Sequence, residues 1–138
     1  MELKLVINTA RSAVVELTES GKYYTYKEYE IFVNGKKLME SDRVITSIYD
    51  LKPDTDYEIY AVYDGQITNT VSFHTDYEFV TLNVREFGAY GDGQHDDTNA
   101  IQCAIMACPK SSRVLVPEGI YKVSSVFLKS DLTLELAE

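Results

Sequence analysis

The chain has 138 residues, 45% of them apolar, and a formal net charge of −9. That length and composition suit one domain, or one small domain followed by part of another. The acidity is spread over the chain, −5 across residues 1–76 and −4 across residues 77–138, which sets it against phosphate backbones and excludes nucleic acid as a partner.

The N-terminus, Met1-Glu2-Leu3-Lys4-Leu5-Val6-Ile7-Asn8, lacks a long apolar run with a small-residue cleavage site. The compartment therefore stays open between an intracellular chain and a secreted one whose leader has been removed. No later run approaches the ~20 apolar residues of a membrane span, so no membrane partner is expected. From Leu3 to Thr75 the pattern is short and alternating, rich in β-branched and aromatic residues. It predicts strands at Leu3–Asn8, Ser12–Thr18, Tyr26–Val33, Lys37–Met39, Val44–Tyr49, Tyr57–Tyr63 and Thr68–His74. Asn34-Gly35 and Asp64-Gly65 are tight-turn signals between such strands. Short strands at this spacing predict a sandwich or barrel.

The run Leu51-Lys52-Pro53-Asp54-Thr55-Asp56-Tyr57 resembles the Leu-x-Pro-x-Thr-x-Tyr motif of fibronectin type III domains. The resemblance covers residues 1–76. It implies a corner in which the Tyr57 hydroxyl bonds back to upstream backbone while its ring packs inward. Pro53 cannot donate to a ladder and suits that strand-free corner. Tyr57, Ile59, Ala61 and Tyr63 then share one face by period two. The family's usual second-strand tryptophan is absent, and Val15 or Leu17 is expected in its place. The chain has 11 tyrosines, with Tyr23, Tyr24, Tyr26 and Tyr29 crowded together. They can be strand residues with a wet hydroxyl end or a surface that stacks on sugars.

In the second half, Thr81–Val84 reads as a strand running into a loop with Gly88, Gly91 and Gly93, whose backbones can take angles other residues avoid. Asp96, Asp97 or Thr98 can cap the helix that follows. Ile101, Ala104, Ile105 and Cys108 form one apolar helical stripe, and Pro109 ends it. Cys103 and Cys108 are poorly placed for a bridge and read as small core or near-core residues. Strands are predicted at Val114–Val116, Tyr121–Val123, Val126–Leu128 and Leu132–Leu136.

A strand, a glycine loop and a helix could also hold a nucleotide. These glycines fit neither dinucleotide nor P-loop spacing, and Asp92, Asp96 and Asp97 would repel a phosphate at that helix start. The three aspartates lack the ligand alternation of a calcium loop, and capping with loop hydrogen bonds accounts for them. His95 reads as a solvated loop residue, and His74 has no acidic or nucleophilic partner in its local sequence. No catalytic, cofactor-binding or metal-binding residue is assigned, and no cofactor is expected.

Several runs together resemble the opening of glycoside hydrolase family 28, the polygalacturonases. They are Asn83-Val84-Arg85-Glu86-Phe87-Gly88-Ala89, Gly91-Asp92-Gly93, Asp96-Asp97-Thr98, Ala100-Ile101-Gln102, Arg113-Val114-Leu115-Val116-Pro117-Glu118-Gly119, Phe127-Leu128-Lys129-Ser130 and Leu132-Thr133-Leu134-Glu135-Leu136-Ala137-Glu138. The glycine–aspartate part alone is shared with phage tailspikes and some lyases. A fibronectin-like module ahead of the β-helix resembles bacterial, often exo-acting members.

The resemblance implies a mainly β chain. A fibronectin type III-like sandwich, residues 1–76, precedes a truncated N-terminal cap and first turn of a right-handed parallel β-helix, residues 77–138, with one short α-helix. It implies a parent that hydrolyses pectin galacturonan with inversion, an acid protonating the leaving oxygen and a base activating water. The family's Asn-Thr-Asp, Asp-Asp, Gly-His-Gly and Arg-Ile-Lys motifs lie on later coils, and Asp96-Asp97 precedes the first helix. The expectation is a non-catalytic accessory segment whose pectin oligosaccharide binds through the missing coils. The apolar stripe Leu132, Leu134, Leu136 needs a cover, so this end is expected to be supported by the sandwich, to be disordered, or to self-associate with another chain. The alternatives are a carbohydrate- or protein-binding module, or the start of a tailspike- or pectate-lyase-type β-helix.

Overall fold

The computed structural model describes residues 1–18 and 21–138. They form two compact units, Met1–Tyr77 and Glu78–Glu138.

The first unit holds β1 (Glu2–Asn8), β2 (Ala13–Thr18), β3 (Tyr24–Val33), β4 (Lys36–Arg43), β5 (Ile45–Ile48), β6 (Asp56–Tyr63), β7 (Gln66–Ile67) and β8 (Val71–His74). One sheet has the order β1-β2-β5. The other runs β4-β3-β6-β7, with β8 also on β6. All pairings are antiparallel. The chain crosses between sheets after β2, after β4 and after β5, which makes a sandwich of the fibronectin type III arrangement. Period-two patterning sends Leu3, Ala13, Val15, Leu17, Tyr29, Ile31, Ile48, Ile59 and Ala61 into one core, closed by Leu51. Both Val15 and Leu17 are core residues, in the strand where the family places its tryptophan.

The hairpin turns follow from their residues. Asn34 and Gly35 have φ of 49° and 81°, and Asp64 and Gly65 have 50° and 77°, the doubly left-handed geometry that matches strand twist. The predicted strand Thr68–His74 is interrupted at its start. Thr68 bonds Ala61 with both its backbone N–H (2.9 Å) and its hydroxyl (2.9 Å). Asn69 turns its amide to the other sheet, accepting from Leu3 N at 2.8 Å and donating to Leu3 O at 2.9 Å. A side chain thus acts as strand partner across the sandwich, and regular pairing resumes only at Val71.

The corner forms as expected. Lys52 N–H donates to the Tyr57 hydroxyl at 2.8 Å, and the Tyr57 ring packs against the core and stacks on Phe73 at 5.8 Å. Replacing Tyr57 by Phe keeps the ring and removes the bond. The expected loss is about 1 kcal/mol in a urea melt; an unchanged midpoint would mean that the corner bond adds nothing.

The second unit holds β9 (Thr81–Asn83), a single-turn 3-10 helix (Val84–Phe87), β10 (Asp92–Asp96), α1 (Thr98–Ala107), β11 (Ser112–Val116), β12 (Ile120–Lys122) and β13 (Leu132–Leu136). Its sheets are parallel: β13-β11-β9, and β10-β12. The chain returns twice to lie beside itself in the same direction, as successive coils of a parallel β-helix do. Val114 pairs with Leu82 on one side and Leu134 on the other, so apolar residues stack in a row facing inward. The stripe of α1 completes the core: Ile101, Ala104, Ile105 and Cys108 join Val84, Val114 and Val116. Before Pro109, Cys108 is forced into an extended conformation (φ −66°, ψ 120°), which ends the helix.

Two expectations fail here. Val126–Leu128 is not a strand. Among the described residues no strand pairs with it, and Gln102 takes that place, accepting from Phe127 N at 2.7 Å and donating to Phe127 O at 3.0 Å. Cys103 is exposed, not near-core. It lies two residues from Ile101, which at 3.6 residues per turn is the opposite side of the helix. Burial pushes the Cys108 thiol above its usual value. One thiol is therefore expected to react with iodoacetamide in the folded chain, at Cys103, and the second only on unfolding; mass mapping of label on native Cys108 would contradict the packing.

Candidate functional site

The glycine–aspartate segment between β9 and α1 carries a close set of polar contacts. Asn83 caps the 3-10 turn, its Oδ1 accepting from Arg85 N at 3.0 Å. Gly88 closes that turn in the left-handed region, φ 99°. The chain is then free to reverse, and Arg85 pins it. Its guanidinium donates to Tyr90 O at 2.8 Å and to Glu118 O at 2.9 Å, and it lies 5.6 Å from the Tyr121 ring centroid. Arg85 therefore joins the first loop to the Pro117-Glu118-Gly119 turn of the next coil. Close approach explains two glycines. A Cβ on Gly91 would meet Arg85 Nη2 at 2.8 Å, and one on Gly119 would meet Gly91 O at 2.9 Å.

The three aspartates bracket β10, Asp92 and Asp96 at its two ends and Asp97 just after it, and the strand also takes in His95, expected in a loop. Asp97 occupies the N-cap position, but its side chain does not cap α1. It is buried, 1% exposed, and accepts from Tyr90 N at 2.8 Å and Gly91 N at 3.0 Å. This corrects the expectation of helix capping for Asp97. Its two oxygens are taken by the N–H groups of Tyr90 and Gly91, leaving none for the helix. Asp96 accepts from Thr98 N at 3.0 Å, and bonds to Thr98 draw its carboxyl below the usual range. Asp92 accepts from Gln94 N at 2.9 Å and His95 N at 3.0 Å, with the His95 ring at 2.6 Å. The two backbone donors, His95 first, lower Asp92 to about 2. His95 is solvated on one side and stacks on Tyr90 at 3.7 Å.

Each of these carboxylates is turned onto the chain itself. Thr98 then holds Ser124 N at 2.9 Å, and Lys129 reaches the end of α1 at Met106 O, 2.9 Å. The chemistry of the arrangement is that of a fastened lid over the first coil. On the outer face of the parallel sheet, Arg113 is paired with Glu135 and bonds Thr81 Oγ1 at 3.1 Å. Among the described residues no group of three His, Cys, Asp or Glu side chains could hold a metal ion, and no helix is long and apolar enough to cross a membrane. Sequence reasoning singled out neither Arg85 nor Gln102 as a contact maker. Both lay within the runs that carry the family resemblance, and that was the only signal pointing to them.

In the first unit the crowded tyrosines separate. Tyr29 is buried, its hydroxyl donating to Arg43 O at 2.7 Å with Thr46 Oγ1 at 2.9 Å. Tyr23, Tyr24 and Tyr26 are exposed. The Arg43 guanidinium lies 4.2 Å from the Tyr24 ring centroid and Lys22 Nζ 5.1 Å from that of Tyr23. His74, for which no acidic partner was expected, meets Asp54 and Asp56 in the fold, not the nearby Asp76.

The second unit, with the first rungs of a parallel β-helix, is similar to pectate-lyase-like proteins. The family described as rhamnogalacturonase A/epimerase, pectate lyase-like, matches residues 81–134. The chain is 43% identical over 94 residues to an exo-poly-alpha-D-galacturonosidase of Dickeya chrysanthemi, a stretch covering 64% of this chain and 16% of that protein. It is 48% identical over 67 residues to the plasmin and fibronectin-binding protein A of Streptococcus pneumoniae, covering 46% of this chain and 9% of the other. Among solved structures, the family 28 exopolygalacturonase of Yersinia enterocolitica superposes on 98% of this chain and 30% of its own, with a TM-score of 0.65 and 26% identity. The likeness to the N-terminal part of a family 28 glycoside hydrolase, read first from the motifs, is thereby supported in both sequence and fold. The chain spans less than a third of either of these two enzymes.

Proposed function

We propose that this chain is the N-terminal, non-catalytic part of a glycoside hydrolase that cleaves the α-1,4 linkages of galacturonan, with inversion. Its sandwich is an accessory module and its second unit closes the start of the β-helix. The observation that carries this reading is the inward row Leu82–Val114–Leu134, a coil repeat beginning directly under the lid, in a chain 43% identical over 94 residues to an exo-poly-alpha-D-galacturonosidase. Inverting hydrolysis needs two free carboxyl groups roughly 6.5–9.5 Å apart across a substrate cleft. Asp92, Asp96 and Asp97 are instead engaged by backbone N–H groups. The test is reducing-end release from polygalacturonate by the 138-residue chain. No release above buffer is expected, and turnover that survives purification would overturn the non-catalytic assignment.

A second reading has a specific observation in its favour. Arg43 and Lys22 lie over exposed tyrosine rings, with Arg43 also paired to Asp42 at 3.4 Å, which places two cations on an aromatic surface of an acidic chain. It fits an anionic sugar. Titration calorimetry with trigalacturonate, against a neutral trisaccharide, separates the readings: salt-sensitive heat lost in Arg43→Ala supports a binding module, and no heat leaves the accessory role alone.

A further inference from the structure

His74, in the last strand of the sandwich, has a carboxylate against each ring nitrogen. Nδ1 is 2.7 Å from Asp56 Oδ1 and Nε2 is 2.7 Å from Asp54 Oδ1. An ionised carboxylate only accepts, and a neutral imidazole has one N–H and one bare lone pair. Neutral His74 therefore satisfies one contact and turns a lone pair on the other. Only the imidazolium donates to both.

The fold builds this arrangement. Asp56 faces His74 directly in the β6–β8 register. Asp54 is presented by the corner, in a left-handed backbone conformation (φ 49°) just after Pro53. The same corner grips the residues that follow His74. Thr75 Oγ1 donates to Lys52 O at 2.6 Å and accepts from Thr55 N at 2.9 Å, and Asp54 N donates to Asp76 O at 3.1 Å. Among the described residues the charged groups in contact with the ring are Asp56 on β6 and Asp54 in the corner. From β1 the uncharged Asn8 amide donates to the His74 carbonyl at 3.1 Å.

We infer that His74 is a proton-operated clasp. Charged, it ties both Asp54 and Asp56 to the segment by which the chain leaves the sandwich, and on losing its proton it releases one of them. The direction of titration agrees: bonds to Asp54 first, then Asp56, hold the imidazolium above its usual value of 6.5. A raised folded value means that the link contributes fully below about pH 6.5 and is lost as pH rises through the folded value.

The test is imidazole nitrogen NMR on the whole chain, with His74 assigned against a His74→Gln variant. The expected result is two protonated ring nitrogens at pH 6 and a midpoint above 6.5, lowered in both Asp54→Asn and Asp56→Asn. Exchange of the Thr75 and Asp76 amides, which bond Thr55 O and Thr9 O, is expected to be slower than in His74→Gln below the midpoint and equal to it above. A midpoint at or below 6.5, a single protonated nitrogen at pH 6, or an exchange ratio that ignores pH would each overturn the clasp.

Discussion

Replacing Asp97 by alanine is expected to cost the second unit about 3 kcal/mol. The carboxylate is buried and holds two backbone N–H groups, those of Tyr90 and Gly91. Hydrogen bonds to a charged group contribute about 1.5–3 kcal/mol each, and a buried donor left without a partner loses its solvation as well. The two bonds share one side chain and one loop, so their effects do not simply add. Asn in the same place keeps one acceptor oxygen and loses the charge, so about half the effect is expected. Amide exchange at Val114 and Ile105, in the core under the loop, reports the unit's opening free energy. A change in Asp97→Ala below about 0.5 kcal/mol, the range of neutral surface substitutions, would show that the loop is held by other means.

Gly91→Ala is expected to be nearly as damaging, at about 2–3 kcal/mol. The residue has φ 64°, and a side chain in the left-handed region costs about 1–2 kcal/mol. The added methyl would also sit 2.8 Å from Arg85 Nη2 and 3.0 Å from the Tyr121 ring. Arg85 would have to swing away, releasing Tyr90 O and Glu118 O together. Gly35→Ala provides the control. That glycine has φ 81°, and a methyl added there would have nothing within 4 Å, so only the conformational cost of about 1 kcal/mol remains. Equal losses at the two positions, each measured by amide exchange within its own unit, would refute the clamp assigned to Arg85.

Much of this was legible in the chain itself, for reasons that are local. Alternation along Tyr57–Tyr63 set which residues face inward, because side chains in a strand alternate strictly. Asn34-Gly35 set a hairpin, because few residues accept two left-handed positions in a row. The stripe Ile101, Ala104, Ile105, Cys108 set the buried face of α1. The failures were failures of reach. Val126–Leu128 has the composition of a strand, but strandhood needs a partner backbone, and the partner proved to be the Gln102 amide. Three neighbouring aspartates are interchangeable in composition terms; only the path of the Gly88–Gly91 loop decides that Asp97 is the one turned inward. His74 meets carboxylates 18 and 20 residues away in sequence, a separation no local window spans. Cys103 could have been placed correctly by counting helix angle from Ile101.

The two units also differ in how soon they can assemble. In the first, β3 and β4 are joined by the two-residue turn Asn34-Gly35, so pairing begins as soon as a few residues are available. In the second, Arg113 must find Thr81 across 32 residues of sequence, and β13 must then come back alongside β11. Wide loops raise the entropy of closure and slow folding. On a ribosome, where the N-terminal part emerges first, hairpins of the sandwich can therefore begin to close early, while Leu82 stays uncovered by strand partners until Val114 has been made. The vulnerable interval in the life of this chain is that wait, when β9 is an open edge with no strand beside it.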